Sequence, residues 1–415
     1  MSLRPRRLTR ERTVPLSFFV VLLTAMGGLA VVAAATSRDG ASIQRTAARA
    51  AAAATPTLTH RAATPAVSSS ATHAPAPAAA PVNLAAAPDP TPTPVPPVPG
   101  PLASLAGCPP PPSTPGPYVP PWHPDHLVPD AQLPAPQPAS GPAAPLTAIT
   151  GKGLWVWKFG ATEGGNATAI ASRAVAGGLN QVWVRVGDSP DGFYGAAELA
   201  QVVPAAHARG LSVIAWGFPY LYDPVADAAW TNQILAWRSP SGDRVDGFSP
   251  DIETASEGVA LSALRTSVYL SLVRPARDGR PLVATVYPPT DHWMANYPYA
   301  AMAPYVDAFA PMVYWECRDP GDAANEAVSR LAAMKPVHVI GQAFSFGDVG
   351  GRINQPSTTE LDRFMGVSRQ DGAVGASFWV WQDVNPEEWN ALTAYPWSPP
   401  DPNPARPLTA HGAPH

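Results

Sequence analysis

Residues 245–254 read VDGFSPDIET, and this stretch decides how the chain is read. Successive side chains of a strand point to opposite faces, so Ser249, Asp251 and Glu253 share one face, with Phe248, Pro250 and Ile252 on the other. Two carboxylates at i and i+2 repel each other and are costly to bury. A strand needed only for a core would carry valines in their place. The plain alternative is that these acids cap the helix that follows. Acids gathered at the end of an otherwise buried strand speak instead for a functional site.

This run is the fourth of eight of the same texture. GLWVWKF (153–159), QVWVRVGD (181–188) and LSVIAWGF (211–218) precede it. PLVATVYP (281–288), VDAFAPMVYW (306–315), PVHVIGQAF (336–344) and GAVGASFWVWQD (372–383) follow. Between them lie alanine-rich amphipathic stretches at 196–209, 225–237, 258–276 and 322–334, with a capping-box spacing at Ser357 and Glu360 that opens another at 358–369. Near-continuous apolar strands alternating with helices imply a parallel sheet covered on its outside. Eight such units predict an α/β fold, a closed (β/α)8 TIM barrel, over residues 150–398. No GxGxxG turn follows the first run, which argues against a dinucleotide fold.

The chain before the barrel has another character. Residues 1–36 carry Arg4, Arg6, Arg7, Arg10 and Arg12 ahead of an apolar run from Val14 to Ala35. That pattern predicts a signal peptide cleaved near Ala35 or an N-terminal transmembrane anchor, and an extracytoplasmic domain in either case. Residues 37–149 are rich in Ala, Pro and Thr and read as a disordered spacer. The aromatic residues near its end, Tyr118 and Trp122 with His123 and His126, suit a surface that lies against the barrel. The tail, 399–415, is again proline-rich. Cys108 and Cys317 suit one disulfide in an exported protein, with two free thiols as the alternative. With a net charge of −4 and no basic cluster beyond the N-terminus, nucleic acid is not an expected partner. No metal or organic cofactor motif is present, and a monomer is expected.

In such barrels chemistry gathers where the strands end. Those ends supply Trp157 and Lys158, Arg185 and Asp188, Trp216, then Asp251 and Glu253. Tyr287, Tyr314 with Glu316, Gln342, and Trp379, Trp381, Gln382 and Asp383 complete the ring. Carboxylates move protons and stabilise oxocarbenium-like transition states, while indole faces stack on sugar rings. A polysaccharide is the expected partner.

Asp246-Gly247-Phe248-Ser249-Pro250-Asp251-Ile252-Glu253 resembles the strand-4 signature DGxDxDxE of family 18 glycoside hydrolases, the chitinase-like barrels. Met312-Val313-Tyr314 is similar to their strand-6 Met-x-Tyr, and Gly375–Trp379 to their strand-8 pattern ending in tryptophan. The resemblance implies a retaining, substrate-assisted glycoside hydrolase acting on a β-linked, N-acetylated glycan. By it, Glu253 is the general acid/base, Asp251 orients the 2-acetamido group, Tyr314 hydrogen-bonds that group, and Trp379 floors the sugar subsite. Trp157, Trp216, Tyr287, Gln342, Trp381, Asp188, Glu316 and Asp383 remain candidate substrate contacts from their places at the strand ends. Three departures stand out. Ser249 replaces the middle acid, Trp315 replaces an aspartate after the strand-6 tyrosine, and AWGFPY (215–220) replaces a glycine-rich strand-3 motif. Ser249 and Trp315 favour an alternative, a non-catalytic carbohydrate-binding barrel. An ester or amide hydrolase is a third reading, without a GxSxG elbow to support it.

Overall fold

The computed structural model describes residues 96–103, 105–108, 126–347 and 351–397. Eight parallel strands run in chain order: β1 Gly151–Val156, β2 Gln181–Asp188, β3 Ser212–Phe218, β4 Gly247–Pro250, β5 Val283–Val286, β6 Ala308–Val313, β7 His338–Gln342 and β8 Gly375–Trp379. Their hydrogen-bonded order is β4-β3-β2-β1-β8-β7-β6-β5. Two parallel bridges, Phe248 to Leu282 and Asp251 to Thr285, close the ring between β4 and β5. The expected barrel is what forms. A two-residue strand, Gly192–Phe193, adds an antiparallel flap to the end of β2.

Each strand is followed by helix: α1 Ala167–Ala176, α2 Ala196–His207, α3 Pro224–Ala236, α4 Ala263–Val273, the short pair α5 Asp291–Asn296 and α6 Tyr299–Met302, then α7 Pro320–Leu331, α8 Thr358–Gln370 and α9 Pro386–Ala394. Local chemistry sets where they start. Asp223 and Asp319 cap α3 and α7 with their carboxylates, each ahead of a proline at the first helical turn. Ser357 and Glu360 form the capping box read from the sequence. The helix expected over 258–276 is shorter than its pattern. Gly258 sits in the left-handed region (φ 84°) and ends a separate turn, Ala255–Glu257, before α4 begins.

Tryptophans fill the barrel. Trp155, Trp183 and Trp216 are each no more than 1% exposed, and Trp155 stacks on Trp183 with centroids 4.6 Å apart. Beneath them a polar thread is fully satisfied: Trp155 Nε1 donates to Ser377 Oγ (2.8 Å), which also meets His338 Nε2 (2.9 Å). Burial lowers the His338 pKa to about 4, so it is neutral there. Outside, Gly217 lets Trp230 lie flat on β3, since a Cβ there would fall 2.7 Å from the ring.

The spacer expectation for 37–149 requires correction over its described parts. Residues 96–103, 105–108 and 126–149 lie against the barrel, because buried arginines donate to their carbonyls. Arg265 reaches Val128 O, Arg274 reaches Ser140 O (2.9 Å) and Arg277 reaches Pro142 O. On another side, Arg352 donates to Ala106 O and Arg363 to Pro99 O, both at 2.8 Å. Cys108 and Cys317 are joined in a disulfide that closes a separation of 209 residues. A composition-based reading counts prolines and overlooks carbonyls, which proline leaves free to accept. The stretches 1–36, 37–95 and 399–415, with Tyr118, Trp122 and His123, lie outside the described residues; His126 is exposed. Among the described residues no helix is long and apolar enough to cross a membrane.

Candidate active site

β4 ends at Pro250, earlier than the alternation implied, yet backbone pairing carries on beyond it. Asp251 N–H donates to Gly217 O (2.9 Å) and Ile252 N–H to Thr285 O (3.0 Å), fixing the chain from both neighbouring strands. The Tyr297 hydroxyl donates to Ile252 O (2.5 Å) from the far side. Asp251 and Glu253 are thereby held at the carboxyl end of the barrel, each only 7% exposed. Asp251 Oδ1 and Glu253 Oε2 are buried without a hydrogen-bond partner among the described residues.

The consequence is electrostatic. Burial drives the Asp251 carboxyl above its usual range; Arg185 pulls it part of the way back and Glu257 pushes it up. Glu253 is raised well above the ordinary carboxylate range, first by burial, then by the charges of Asp251 and Glu257, with a Tyr287 hydrogen bond offsetting part. Neighbouring buried carboxylates cannot all ionise, so a proton is retained in the group. Tyr314, directly after β6, packs edge-on against Phe344 with centroids 5.4 Å apart, and burial and the two acids raise its pKa. Tyr287 is raised by burial and by Glu253, and its ring packs on Trp293 with centroids 4.5 Å apart.

Aromatic rings line the same end. Trp379 lies 5.4 Å from Trp216 and 6.0 Å from Trp157, centroid to centroid. Lys158 Nζ sits 4.0 Å over the Trp157 ring. On β2, Arg185 donates to Asp188 Oδ2 (3.0 Å) and lies 5.5 Å from the Trp216 centroid. The structure therefore brings together Asp251, Glu253, Tyr287, Tyr314, Trp216, Trp379 and Trp157, with Asp188 joined through Arg185.

Other sequence candidates are held elsewhere. Trp381 packs on Trp389 of α9 (5.2 Å) and donates to Glu163 (3.1 Å), while Asp383 is exposed in the turn beside it. Gln342 is fully buried and braces the loop after β6, accepting from Glu316 N–H (2.9 Å) and donating to Phe344 O (2.9 Å). Glu316, at φ 48°, is the bent residue that this brace holds.

The departures from the family pattern have structural occupations. Ser249 Oγ donates to Val283 O (2.6 Å) and meets Thr285 Oγ1 (2.8 Å), stitching β4 to β5 where the ladder is thinnest. Trp315 is buried against Phe364 and donates to Glu360 (3.0 Å). Sequence reasoning passed over Glu257 and Tyr297. Glu257 looks like an ordinary cap, because Thr254-x-x-Glu257 is a capping-box spacing, and nothing in the sequence said that it would be buried. Arg185 was visible at its strand end but not as a cation that acts on Asp251. Among the described residues no group of three or more metal-ligating side chains is arranged to hold an ion.

No protein-family model matches the chain, and no curated protein matches its sequence. Solved structures resemble it in backbone. The spore cortex-lytic enzyme SleL of Bacillus cereus is 12% identical, covering 59% of this chain and 73% of that one at a TM-score of 0.44. A class V chitinase of Pseudomonas fluorescens Pf-5 is 13% identical, covering 59% and 98% at 0.42. A chitinase-like agglutinin of Robinia pseudoacacia is 13% identical, covering 58% and 98% at 0.40. At this level the likeness concerns the chain trace alone.

Proposed function

We propose that this protein is an extracytoplasmic glycoside hydrolase acting on a β-linked, N-acetylated polysaccharide. One observation carries the reading: a carboxyl group raised to hold a proton, Glu253, stands beside a second acid, Asp251, under an aromatic rim. A protonated carboxyl at neutral pH is what a general acid requires. In the mechanism that fits, the Glu253 proton passes to the glycosidic oxygen as its bond to the anomeric carbon breaks. The substrate's acetamido oxygen closes on that carbon from the opposite face, with Asp251 accepting from the acetamido N–H and Tyr314 donating to the group. Glu253, now a carboxylate, takes a proton from water, which attacks the anomeric carbon and restores the acetamide. Trp379 and the half-buried Trp157 offer indole surface to the rings, while Trp216, at 1% exposed, backs Trp379 from the core and cannot stack on a sugar itself. The disulfide between Cys108 and Cys317 supports an oxidising, extracytoplasmic setting.

Turnover of N-acetylated and plain β-glycosides by the full-length protein, beside Glu253→Gln, tests this. Activity on the N-acetylated set that falls about a hundredfold or more in the variant supports it. A second reading, a carbohydrate-binding barrel, is favoured by the structural occupations of Ser249 and Trp315. Glycan binding equal in both proteins, with no turnover in either, would establish it instead.

A further inference from the structure

We infer that the β1–β2 side of the mouth selects an acidic glycan: Arg185, with Lys158 on the rim of the neighbouring strand, binds a carboxylate carried by the polysaccharide. The inference deepens the proposed function by naming its substrate class, and it rests on the reading of this mouth as a glycan site.

Strand alternation puts Arg185 where it is. Trp183, two residues earlier on the same face of β2, is fully buried in the barrel, so Arg185 stands one layer nearer the mouth. It alone in β2 is not buried, with 15% of its side chain exposed. Its ladder partner on β3 is Trp216, whose ring centroid lies 5.5 Å from the guanidinium carbon. Trp216 in turn lies 5.4 Å from Trp379, and Gly217, the next residue, accepts from Asp251 N–H. On β1, the neighbour of β2, Lys158 Nζ sits 4.0 Å over Trp157, itself 6.0 Å from Trp379. Each cation therefore stands one indole away from the sugar floor.

Neither cation is used up by the fold. Asp188 Oδ2 accepts from Arg185 Nη2 at 3.0 Å, while Asp188 Oδ1 accepts from Asp191 N–H at 3.0 Å. Arg185 Nε is buried with no acceptor, and no other arginine among the described residues has a buried nitrogen in that state. Arg280 and Arg352, which fasten the chain, turn all three guanidinium nitrogens to carbonyls or carboxylates. Lys158 makes no ion pair among the described residues. Burial works against the Arg185 charge, but Tyr194, Asp188, Tyr220 and Asp251 favour it, so the cation is kept. A purely structural role explains this poorly. Holding Asp188 takes one nitrogen, and steadying a charge on Asp251 takes only a point charge, which lysine supplies. A planar fork that is reachable from the mouth and still short of acceptors suits the two oxygens of a carboxylate.

Titration calorimetry tests the inference on full-length, disulfide-intact Glu253→Gln, which keeps substrate uncleaved. The probes are β-linked oligomers of equal length. One is neutral N-acetylglucosamine throughout; in another, alternate residues carry a lactyl-ether carboxylate; in the last, alternate residues are uronic acids. At neutral pH at least one acidic probe should bind about tenfold or more tighter than the neutral one, and which one does so identifies the source of the carboxylate. Adding Arg185→Gln should bring that probe down to the neutral level while the neutral probe changes less than about threefold, and Lys158→Gln should remove a smaller part. Equal binding of all the probes overturns the inference, as does a loss in Arg185→Gln shared equally by neutral and acidic probes. Should Arg185→Gln fail to fold, the acidic preference in Glu253→Gln and its fall in Lys158→Gln decide together, and the absence of either counts against the site. Cleavage of the neutral oligomer by the unsubstituted protein, without any acidic preference, keeps the hydrolase reading and sinks this one. An acidic preference without turnover of any probe does the reverse.

Discussion

The mouth of the barrel and the seam where residues 96–108 meet it both bury charge, and they treat it in opposite ways. At the seam, Arg352 holds Glu360 through two bonds, Nη1 to Oε2 (2.6 Å) and Nη2 to Oε1 (2.8 Å), while Trp315 donates to the same carboxylate. Burial pushes the Glu360 pKa up, but these donors bring it below its ordinary value. At the mouth, Glu253 is buried to a similar depth without such donors, and its pKa stays high. A buried carboxylate supplied with donors is a fastener. One left short of them stores a proton for use elsewhere.

The largest expected effect belongs to the mouth. Glu253→Gln should cost about 10²–10⁴-fold in kcat/KM while the fold is retained, read by turnover beside circular dichroism. If both fall together, the contrast between the two regions is wrong. At the seam, Arg352→Met leaves Glu360 buried and unpaired, and should cost about 3–5 kcal/mol in urea unfolding. Replacing Cys108 and Cys317 together by serine should cost about 2–4 kcal/mol, seen as a lower Tm, with kcat little changed.

The subtlest test is the sign of the pH dependence. Glu253 is raised on folding, so its contribution to stability is fully present below the ordinary glutamate pKa and is lost as pH rises towards its folded value. Glu253→Gln should therefore unfold like the parent near pH 4 and be more stable than it near pH 8, read by urea unfolding at the two pH values. Glu360 runs the other way, because its folded pKa is lowered. Its contribution is present above the ordinary value and fades as pH falls, so Glu360→Gln should destabilise at neutral pH and matter least in acid.

The barrel was legible because strand periodicity and helix caps are local signals, and 150–398 is rich in both. Asp251 and Glu253 were legible because acids on one face of an apolar strand contradict a plain core. What escaped depended on burial and on partners far away in sequence. Glu257 is indistinguishable from a surface cap until the loops close over it. Trp381 and Asp383 share the β8 ending with Trp379, yet the chain turns immediately after that strand and gives Trp381 to α9 and Glu163. The docking of the proline-rich approach was hidden because its partners are arginines scattered across α4, α8 and their flanking loops.

That docking also fixes where a pull would be felt. Tension arriving from the N-terminal side meets the barrel at Pro99 and Leu102, gripped by Arg363 and Asp319 of the α7–α8 pair. It then passes into Cys317 through the covalent link at Cys108. β1 begins only at Gly151, beyond both grips. A domain tethered by this end would carry load through its helical shell and one sulfur–sulfur bond, and its first strand, whose tryptophan reaches the floor of the mouth, would stay slack.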